Sequence, residues 1–164
     1  MSSNRALSDT QATEIQSPAQ EDLLIKRAMQ ILDRRLFTRG PKLESPSEVR
    51  DFLKLKLAGM DHEVFCVIFL DIKHQALAFE MMFHGDIGHT SVHPRQVLKR
   101  AIAHNASAVI LAHNHPSGCT TPSEADCVLT QRLRKALALI DVTLLDHIIV
   151  GAGDPLSMNQ HRLT

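Results

Sequence analysis

A short segment between residues 113 and 126 gathers side chains that bind metal ions. It reads HNHPSGCTTPSEAD and contains His113, His115 and Asp126. Because side chains two apart in an extended chain point to the same side, His113 and His115 can present both imidazoles to one point. Asp126 falls in the first turns of a predicted helix, from where its carboxylate can face back towards them. Two imidazoles and one carboxylate leave a fourth position open for water, which is the arrangement of catalytic rather than structural zinc.

A zinc hydrolase also needs a general base that lies near the metal and is not a ligand. Glu63 stands at the start of the first long apolar run, at an end from which a carboxylate could reach a cleft. Taken alone, this position is more often a solvated carboxylate at the end of a strand. Zinc lowers the pKa of its bound water to about 7 and polarises a carbonyl oxygen. The predicted chemistry is therefore hydrolysis by a water activated by one Zn²⁺ per chain.

Strands and helices alternate around this segment. Apolar runs predict strands at residues 63–71, 76–83, 106–112 and 142–150, and amphipathic patterns predict helices at 18–36, 46–57, 94–102 and 122–139. The run from Asp71 to Gln75 is predicted as a hairpin turn, 85–91 as irregular or a short strand, and 113–121 as a loop. Thr121 is predicted to open the last helix in a capping box with Pro122-Ser123-Glu124. The expected fold is a single α/β domain whose mixed sheet is flanked by helices.

The composition is that of an ordinary globular domain. The chain has 164 residues, of which 44% are hydrophobic and 22% charged, so it can bury a core without disulfides. Eighteen basic and eighteen acidic residues give a formal net charge of zero, which disfavours charge-driven binding of nucleic acid. No apolar run is long enough to span a membrane, and the three cysteines form no CxxC pair. We therefore expect a cytoplasmic protein with reduced thiols.

The chain divides into three predicted parts. Residues 1–16 are polar and lack the apolar core of a signal peptide, so they are predicted to be a disordered leader. Residues 17–43 are predicted as a helical extension, broken at the Thr38-Arg39-Gly40-Pro41 sequence. Residues 44–164 are predicted to form the hydrolase domain.

Several separated motifs resemble one known family. The pattern Glu…His-x-His-Pro-x₆-Ser-x₂-Asp is similar to the JAMM (JAB1/MPN+) metalloprotease motif. The segments AVILAHNHPSG, PSEAD and LLDHIIVG resemble the bacterial RadC family, which belongs to the JAMM group. The resemblance implies that His113, His115 and Asp126 are zinc ligands, that Glu63 activates the water and that Ser123 hydrogen-bonds the tetrahedral oxyanion. It also implies a JAB1/MPN-like fold, related in outline to cytidine deaminases, and a metallopeptidase that cleaves peptide or isopeptide bonds.

The similarity extends from about Glu44 to the C-terminus. Longer RadC proteins carry an N-terminal helix-hairpin-helix that suggests DNA contact. No such signature precedes Glu44, so we expect this chain to lack that module. Cys119 stands where relatives usually have a small polar or acidic residue. Its thiol could add a ligand, inhibit the site or have no effect.

Two other functions are compatible with parts of the sequence. Zinc-dependent nucleobase deaminases show H-x-E followed by P-C-x-x-C, whereas this chain has His113-Asn114-His115 and no CxxC pair formed by Cys119 and Cys127. A DNA-associated module in repair or mobile-element biology is suggested only by the RadC name, although DNA as a partner is not supported by the net charge. A protein or peptide substrate is the expected partner, no membrane association is expected, and the oligomeric state is open.

Some of these residues also have ordinary structural interpretations. Ser123 is placed where serine commonly begins a helix, and one hydroxyl could serve both purposes. His93 precedes Pro94, so it either caps a helix or lines the cleft. Asp146 and His147 either face outwards from the last strand or support their neighbours.

Overall fold

The apolar runs and amphipathic patterns form strands and helices in the expected order. The computed structural model describes residues 17–37, 46–85 and 91–161. In chain order, the elements are α1 (Pro18–Phe37), α2 (Pro46–Leu57), β1 (Val64–Leu70), β2 (Ala76–His84), α3 (Pro94–Ala103), β3 (Ala108–Asn114), α4 (Glu124–Ala138), β4 (Thr143–Val150) and β5 (Leu156–Ser157). The predicted class, a mixed α/β domain with helices against one sheet, is confirmed.

The strand directions decide which chain ends meet. The five strands form one sheet in the order β2-β1-β3-β4-β5. β1 runs antiparallel to β2 and β3, whereas β3 and β4 are parallel. Phe65 near the start of β1 pairs with His113 near the end of β3, and His113 lies beside Ile149 of β4. The start of β1, which follows Glu63, therefore lies at the same end of the sheet as the His113 segment.

Helices cover both faces of the sheet, which explains why the central strands are apolar throughout. Every residue of β1 is buried, as is every residue of β3. Phe52 and Leu53 of α2 pack on one face, while Val97 of α3 and Leu137 of α4 pack on the other. Strands buried on both faces lose the usual alternation of polar and apolar residues. Each large side chain buried in this way contributes roughly 1.5–3 kcal/mol, so the strands form a rigid base for the residues at their ends.

The end of β3 differs from the prediction. The strand was predicted to end at Ala112, but it continues through Asn114 and therefore includes His113. Main-chain pairing with β4 carries the extension, because Asn114 lies opposite Val150. On the β1 side, the Oδ1 of Asn114 accepts from the Val64 N–H at 2.8 Å and its Nδ2 donates to the His62 carbonyl at 2.9 Å. A buried polar side chain that bonds the neighbouring strand in this way replaces missing main-chain pairing.

The start of α4 also differs from the prediction. Ser123, not Thr121, is the N-cap, and the helix begins at Glu124 rather than Pro122. The capping box is closed by Asp126: the Ser123 hydroxyl accepts from the Asp126 N–H at 3.2 Å, and the Asp126 carboxylate accepts from the Ser123 N–H at 2.7 Å. This reciprocal pair of hydrogen bonds satisfies two main-chain donors at the start of the helix.

The remaining local predictions have mixed outcomes. The hairpin turn is confirmed, since the Asp71 N–H donates to the Gln75 carbonyl at 2.9 Å and the Asp71 carboxylate accepts from the Lys73 and Gln75 N–H groups, each at 2.8 Å. The short strand β5 was not predicted. The leader at 1–16, the helix break at 38–41 and most of the irregular segment at 85–91 lie outside the described residues.

The cysteines and the helices bear on two further expectations. Cys66, Cys119 and Cys127 take part in no disulfide, and their reduced state in the cell stays a prediction. Among the helices of the described ranges, none combines the length and apolar character needed to cross a membrane.

Candidate metal centre

His113 and His115 converge because β3 stays extended through them. Residue 113 lies in the strand and residue 115 follows it directly, so both rings project to the same side while Asn114 projects to the other. Their Nε2 atoms lie 3.0 Å apart. The main chain of His115 is fixed by its N–H, which donates to the Val150 carbonyl of β4 at 2.9 Å. The Nδ1 atom of its ring lies 2.7 Å from the carbonyl of Cys119, which orients the ring.

Asp126 is aimed at these rings by the capping box of α4. Its Oδ2 accepts from both the N–H and the hydroxyl of Ser123, at 2.7 and 2.6 Å. Its Oδ1 lies 3.2 Å from the Nε2 of His113, and its Oδ2 lies 3.6 Å from the Nε2 of His115. The same contacts that begin the helix therefore hold the carboxylate in front of the two imidazoles.

The separations between these atoms fit a zinc ion. In the described part of the chain, His113, His115 and Asp126 are the one group of three or more potential ligands with converging atoms. A tetrahedral zinc with bonds of about 2.0–2.1 Å separates its ligand atoms by roughly 3.3 Å. The separations of 3.0, 3.2 and 3.6 Å lie around that value. Two imidazoles and one carboxylate are also a ligand set that leaves a coordination position for water.

A second layer of hydrogen bonds supports His113. Its Nδ1 lies 2.8 Å from Nε2 of His147 in β4, and Nδ1 of His147 lies 2.6 Å from the Thr130 hydroxyl in α4. That hydroxyl donates to the main-chain carbonyl of Asp126 at 2.6 Å. These hydrogen bonds connect strand β4 to helix α4 on the side of His113 that faces away from His115 and Asp126.

The electrostatics of the cluster favour an ionised Asp126 and neutral His147. Burial by itself would raise the pKa of Asp126, but the contacts with His113, His115 and Ser123 hold that pKa well below its ordinary range. The hydrogen bond to Asp126 raises the pKa of His115. Burial holds the pKa of His147 well below that of a free histidine. A carboxylate that stays ionised at neutral pH is ready to serve as a metal ligand.

A cavity of about 560 Å³ opens in front of the cluster. Glu63 and Ser123 lie in its wall together with His113, His115 and Asp126. The rest of the wall combines polar and apolar groups, among them Phe65, Ser91, Val92, His93 and Leu129. A cavity of this size lies within the range of ordinary ligand-binding and active-site pockets.

Comparison with known proteins assigns the family. A family model described as a RadC-like JAB domain matches residues 43–163. The chain belongs to the RadC-like JAB domain family. It is 57% identical over 140 residues to a UPF0758 protein of Azotobacter vinelandii, covering 85% of this chain and 62% of that protein. It is 62% identical over 123 residues to a UPF0758 protein of Stutzerimonas stutzeri, covering 75% of this chain and 55% of that protein.

These findings confirm the family resemblance drawn from the sequence. They place the RadC-like chain among JAB-type, hydrolase-like domains. The chain spans little more than half the length of these curated relatives, which are bacterial proteins.

All five site residues predicted from the sequence border one cavity of the RadC-like domain. His93 also lines it, with its ring centroid 6.0 Å from that of Phe83, and its side chain makes no capping bond to α3. His93 therefore occupies the N-cap position of α3 by its main chain and lines the cleft by its side chain, so both interpretations hold in part. Cys119 meets the cluster through its carbonyl, and its exposed thiol is outside the set of converging ligand atoms.

Sequence reasoning missed Thr130 and left His147 between two alternatives. His147 is fully buried and supports a neighbour, so it does not face outwards. A signal was present, because a histidine inside an apolar strand must find a hydrogen-bond partner. The identity of that partner depended on the register of β3 against β4, where His147 lies beside Leu111, two residues before His113.

Proposed function

We propose that this RadC-like domain is a zinc-dependent hydrolase that cleaves peptide or isopeptide bonds in a protein or peptide substrate. One observation carries the proposal: the ligand atoms of His113, His115 and Asp126 converge in the wall of a cavity that also contains Glu63. An open three-ligand site beside a carboxylate that is not a ligand is the arrangement that metal-assisted amide hydrolysis requires.

In this proposal the three residues hold the ion, and the remaining groups manage protons and charge. Zinc bound there supplies Lewis acidity and lowers the pKa of a water molecule to about 7. Glu63 accepts a proton from the attacking water and delivers it to the leaving amine, since one carboxylate can act first as base and then as acid. Phe65, Val92 and Leu129 form an apolar part of the cavity wall, which offers contacts to the apolar groups of a substrate.

Ser123 has a second task in this scheme. Its hydroxyl donates to Oδ2 of Asp126, but its N–H donates to the same oxygen. The hydroxyl can therefore rotate towards the substrate oxyanion while the main chain keeps the Asp126 carboxylate in place. Stabilisation of the developing oxyanion by such a donor is worth about 10²–10³ in kcat.

A deaminase is the less favoured alternative. Zinc deaminases bind the ion through one histidine and two cysteines, or through three cysteines. The converging group found in the described residues contains two histidines and an aspartate and no cysteine. The ligand set therefore supports hydrolysis of an amide rather than of a nucleobase.

The metal is tested first, on chelator-free purified protein. We expect about one zinc per chain in the wild type and none in His113→Ala or Asp126→Ala, because two ligands cannot hold a site built for three. Asp51→Ala, which removes an exposed carboxylate on α2, is the matched control and retains zinc. A folded wild type that takes up no zinc on titration would overturn the proposal.

The base is tested next, on a panel of fluorogenic peptide and isopeptide substrates. Glu63→Gln keeps zinc and loses about 10²–10⁴ in cleavage rate, because the glutamine cannot accept the proton. Glu124→Gln changes an exposed glutamate in the first turn of α4 and keeps both zinc and activity. Cleavage by Glu63→Gln at the wild-type rate would exclude this mechanism.

A further inference from the structure

A buried chain of hydrogen bonds connects two of the proposed ligands behind the cavity. It runs from Nδ1 of His113 to Nε2 of His147 at 2.8 Å, from Nδ1 of His147 to the Thr130 hydroxyl at 2.6 Å, and from that hydroxyl to the Asp126 carbonyl at 2.6 Å. His147 and Thr130 both have 0% of their surface exposed. Neither residue lines the cavity that holds the ligands.

The direction of every hydrogen bond in this series follows from the last acceptor, which is the main-chain carbonyl of Asp126. A carbonyl oxygen only accepts, so the single hydroxyl proton of Thr130 goes to Asp126. The Thr130 oxygen must then accept from His147, which therefore carries its proton on Nδ1. Nε2 of His147 is left as an acceptor and takes the proton on Nδ1 of His113. His113 is thereby held in the tautomer that bears a lone pair on Nε2.

That nitrogen is the one that faces the cluster. Nε2 of His113 lies 3.0 Å from Nε2 of His115 and 3.2 Å from Oδ1 of Asp126. The opposite tautomer would place an N–H where a metal ion would sit, and a protonated nitrogen cannot be a ligand. The series of hydrogen bonds thus selects the tautomer of His113 that can bind a metal ion. The acceptor for Nδ1 of His113 is a neutral imidazole, whereas the usual acceptor is a carboxylate or a main-chain carbonyl.

We propose that His147 and Thr130 are positioning residues of the metal centre, which fix the tautomer and ring orientation of His113 and couple them to the helix turn that carries Asp126. This inference rests on the metal site of the proposed function. Its distinct content is that zinc affinity depends on two buried residues that touch neither the ion nor the substrate. A purely structural role would affect folding and leave the affinity for zinc unchanged.

Thr130 gives the cleanest pair of variants. Thr130→Val removes the hydroxyl at nearly constant volume, whereas Thr130→Ser keeps it. Loss of an outer-shell partner typically lowers metal affinity by about 10–100-fold, so we expect Thr130→Val to bind zinc roughly tenfold more weakly and Thr130→Ser to recover most of that loss. Zinc affinity is measured by competition with a chromophoric chelator, beginning from chelator-stripped protein.

His147 is tested by His147→Leu, with His147→Gln as the variant that can still offer an acceptor oxygen to Nδ1 of His113. We expect zinc affinity to fall by about 10–100-fold in His147→Leu and by less in His147→Gln. If both residues act through the same series of hydrogen bonds, the double variant Thr130→Val/His147→Leu should bind zinc no more weakly than His147→Leu alone. Denaturation of each stripped protein shows which variants remain folded, and Thr130→Val keeps the test valid should His147→Leu unfold.

The tautomers give a readout independent of affinity. Long-range ¹⁵N–¹H NMR of the imidazoles in the zinc-loaded protein is expected to show a proton on Nδ1 of both His113 and His147. A proton on Nε2 of His147, or wild-type zinc affinity in folded Thr130→Val and His147→Leu, would overturn the inference while leaving the metal site intact. A folded wild type that binds no zinc would overturn the proposed function and this inference together, so the two failures are distinguishable.

Discussion

The contact between Gly151 and the loop after β3 provides a sharp test of how His115 is held. A Cβ atom placed on Gly151 would lie 2.4 Å from the Gly118 carbonyl oxygen and 2.8 Å from Cγ2 of Thr120. The nearest obstacle is main chain, so rotation of a side chain cannot relieve the clash. An ordinary contact needs about 3.4 Å or more, and Gly151→Ala therefore displaces the loop by roughly 1 Å.

This displacement reaches the proposed metal centre through a short path. The Gly118 carbonyl accepts from the Ala152 N–H at 2.9 Å, and the Gly118 N–H donates to the His115 carbonyl at 2.9 Å. The next residue, Cys119, supplies the carbonyl that orients the His115 ring. Since loss of such an outer-shell contact costs about 10–100-fold in metal affinity, we expect Gly151→Ala to weaken zinc binding at least tenfold. Overpacking should also lower the free energy of unfolding by about 1–3 kcal/mol.

Gly153→Ala is the matched control, because a Cβ atom there would have no neighbour within 4 Å. Zinc affinity is measured by chelator competition and stability by urea denaturation, with wild type, Gly151→Ala and Gly153→Ala run in parallel. Wild-type zinc affinity and an unchanged unfolding midpoint in Gly151→Ala would show that this contact does not position His115.

Three further outcomes follow from the structure. Because Ser123 is the N-cap of α4, Ser123→Ala should lower the free energy of unfolding by about 1 kcal/mol, whereas Thr121→Ala should lower it by less than half as much. Equal losses of stability in urea denaturation would contradict the N-cap assignment. The hydrogen bond from Arg100, together with that from His104, lowers the pKa of Glu80 in the folded state. The ionised Glu80 carboxylate therefore stabilises the fold above its unfolded pKa of about 4.3, and this contribution is lost as the pH falls through the lower folded pKa. Chemical denaturation from pH 7 to 3 should therefore show Glu80→Gln about 0.5–1 kcal/mol less stable than wild type near neutrality, with the difference shrinking below pH 5; a constant difference would refute the linkage. Because the net charge is zero, we expect DNA affinity in a fluorescence anisotropy titration to be no tighter than about 10⁻⁴–10⁻⁶ M near physiological salt, and tighter binding with a steep salt dependence would contradict this expectation.

The local features of this protein were predictable from sequence because near neighbours decide them. The apolar runs of β1 and β3 predicted buried strands, and the spacing of His113 and His115 predicted that their rings share a side. The motifs also predicted the family, which the match over residues 43–163 confirms. The capping box predicted at Thr121 was wrong by two residues, because the structure has Ser123 as the N-cap and Asp126 closes its box.

Tertiary structure alone decided what surrounds the histidines. Glu63 and His113 are far apart in the chain, and they line one cavity because β1 and β3 pair antiparallel with Phe65 opposite His113. His147 and Thr130 reach His113 only through the parallel register of β3 with β4 and the packing of α4 against that face. Such contacts depend on how whole elements align, and a shift of one residue in register would turn each side chain to the opposite face. The shared side of the His113 and His115 rings thus follows from the sequence, whereas the hydrogen-bond partners of His113 and the shape of the cavity follow from the fold.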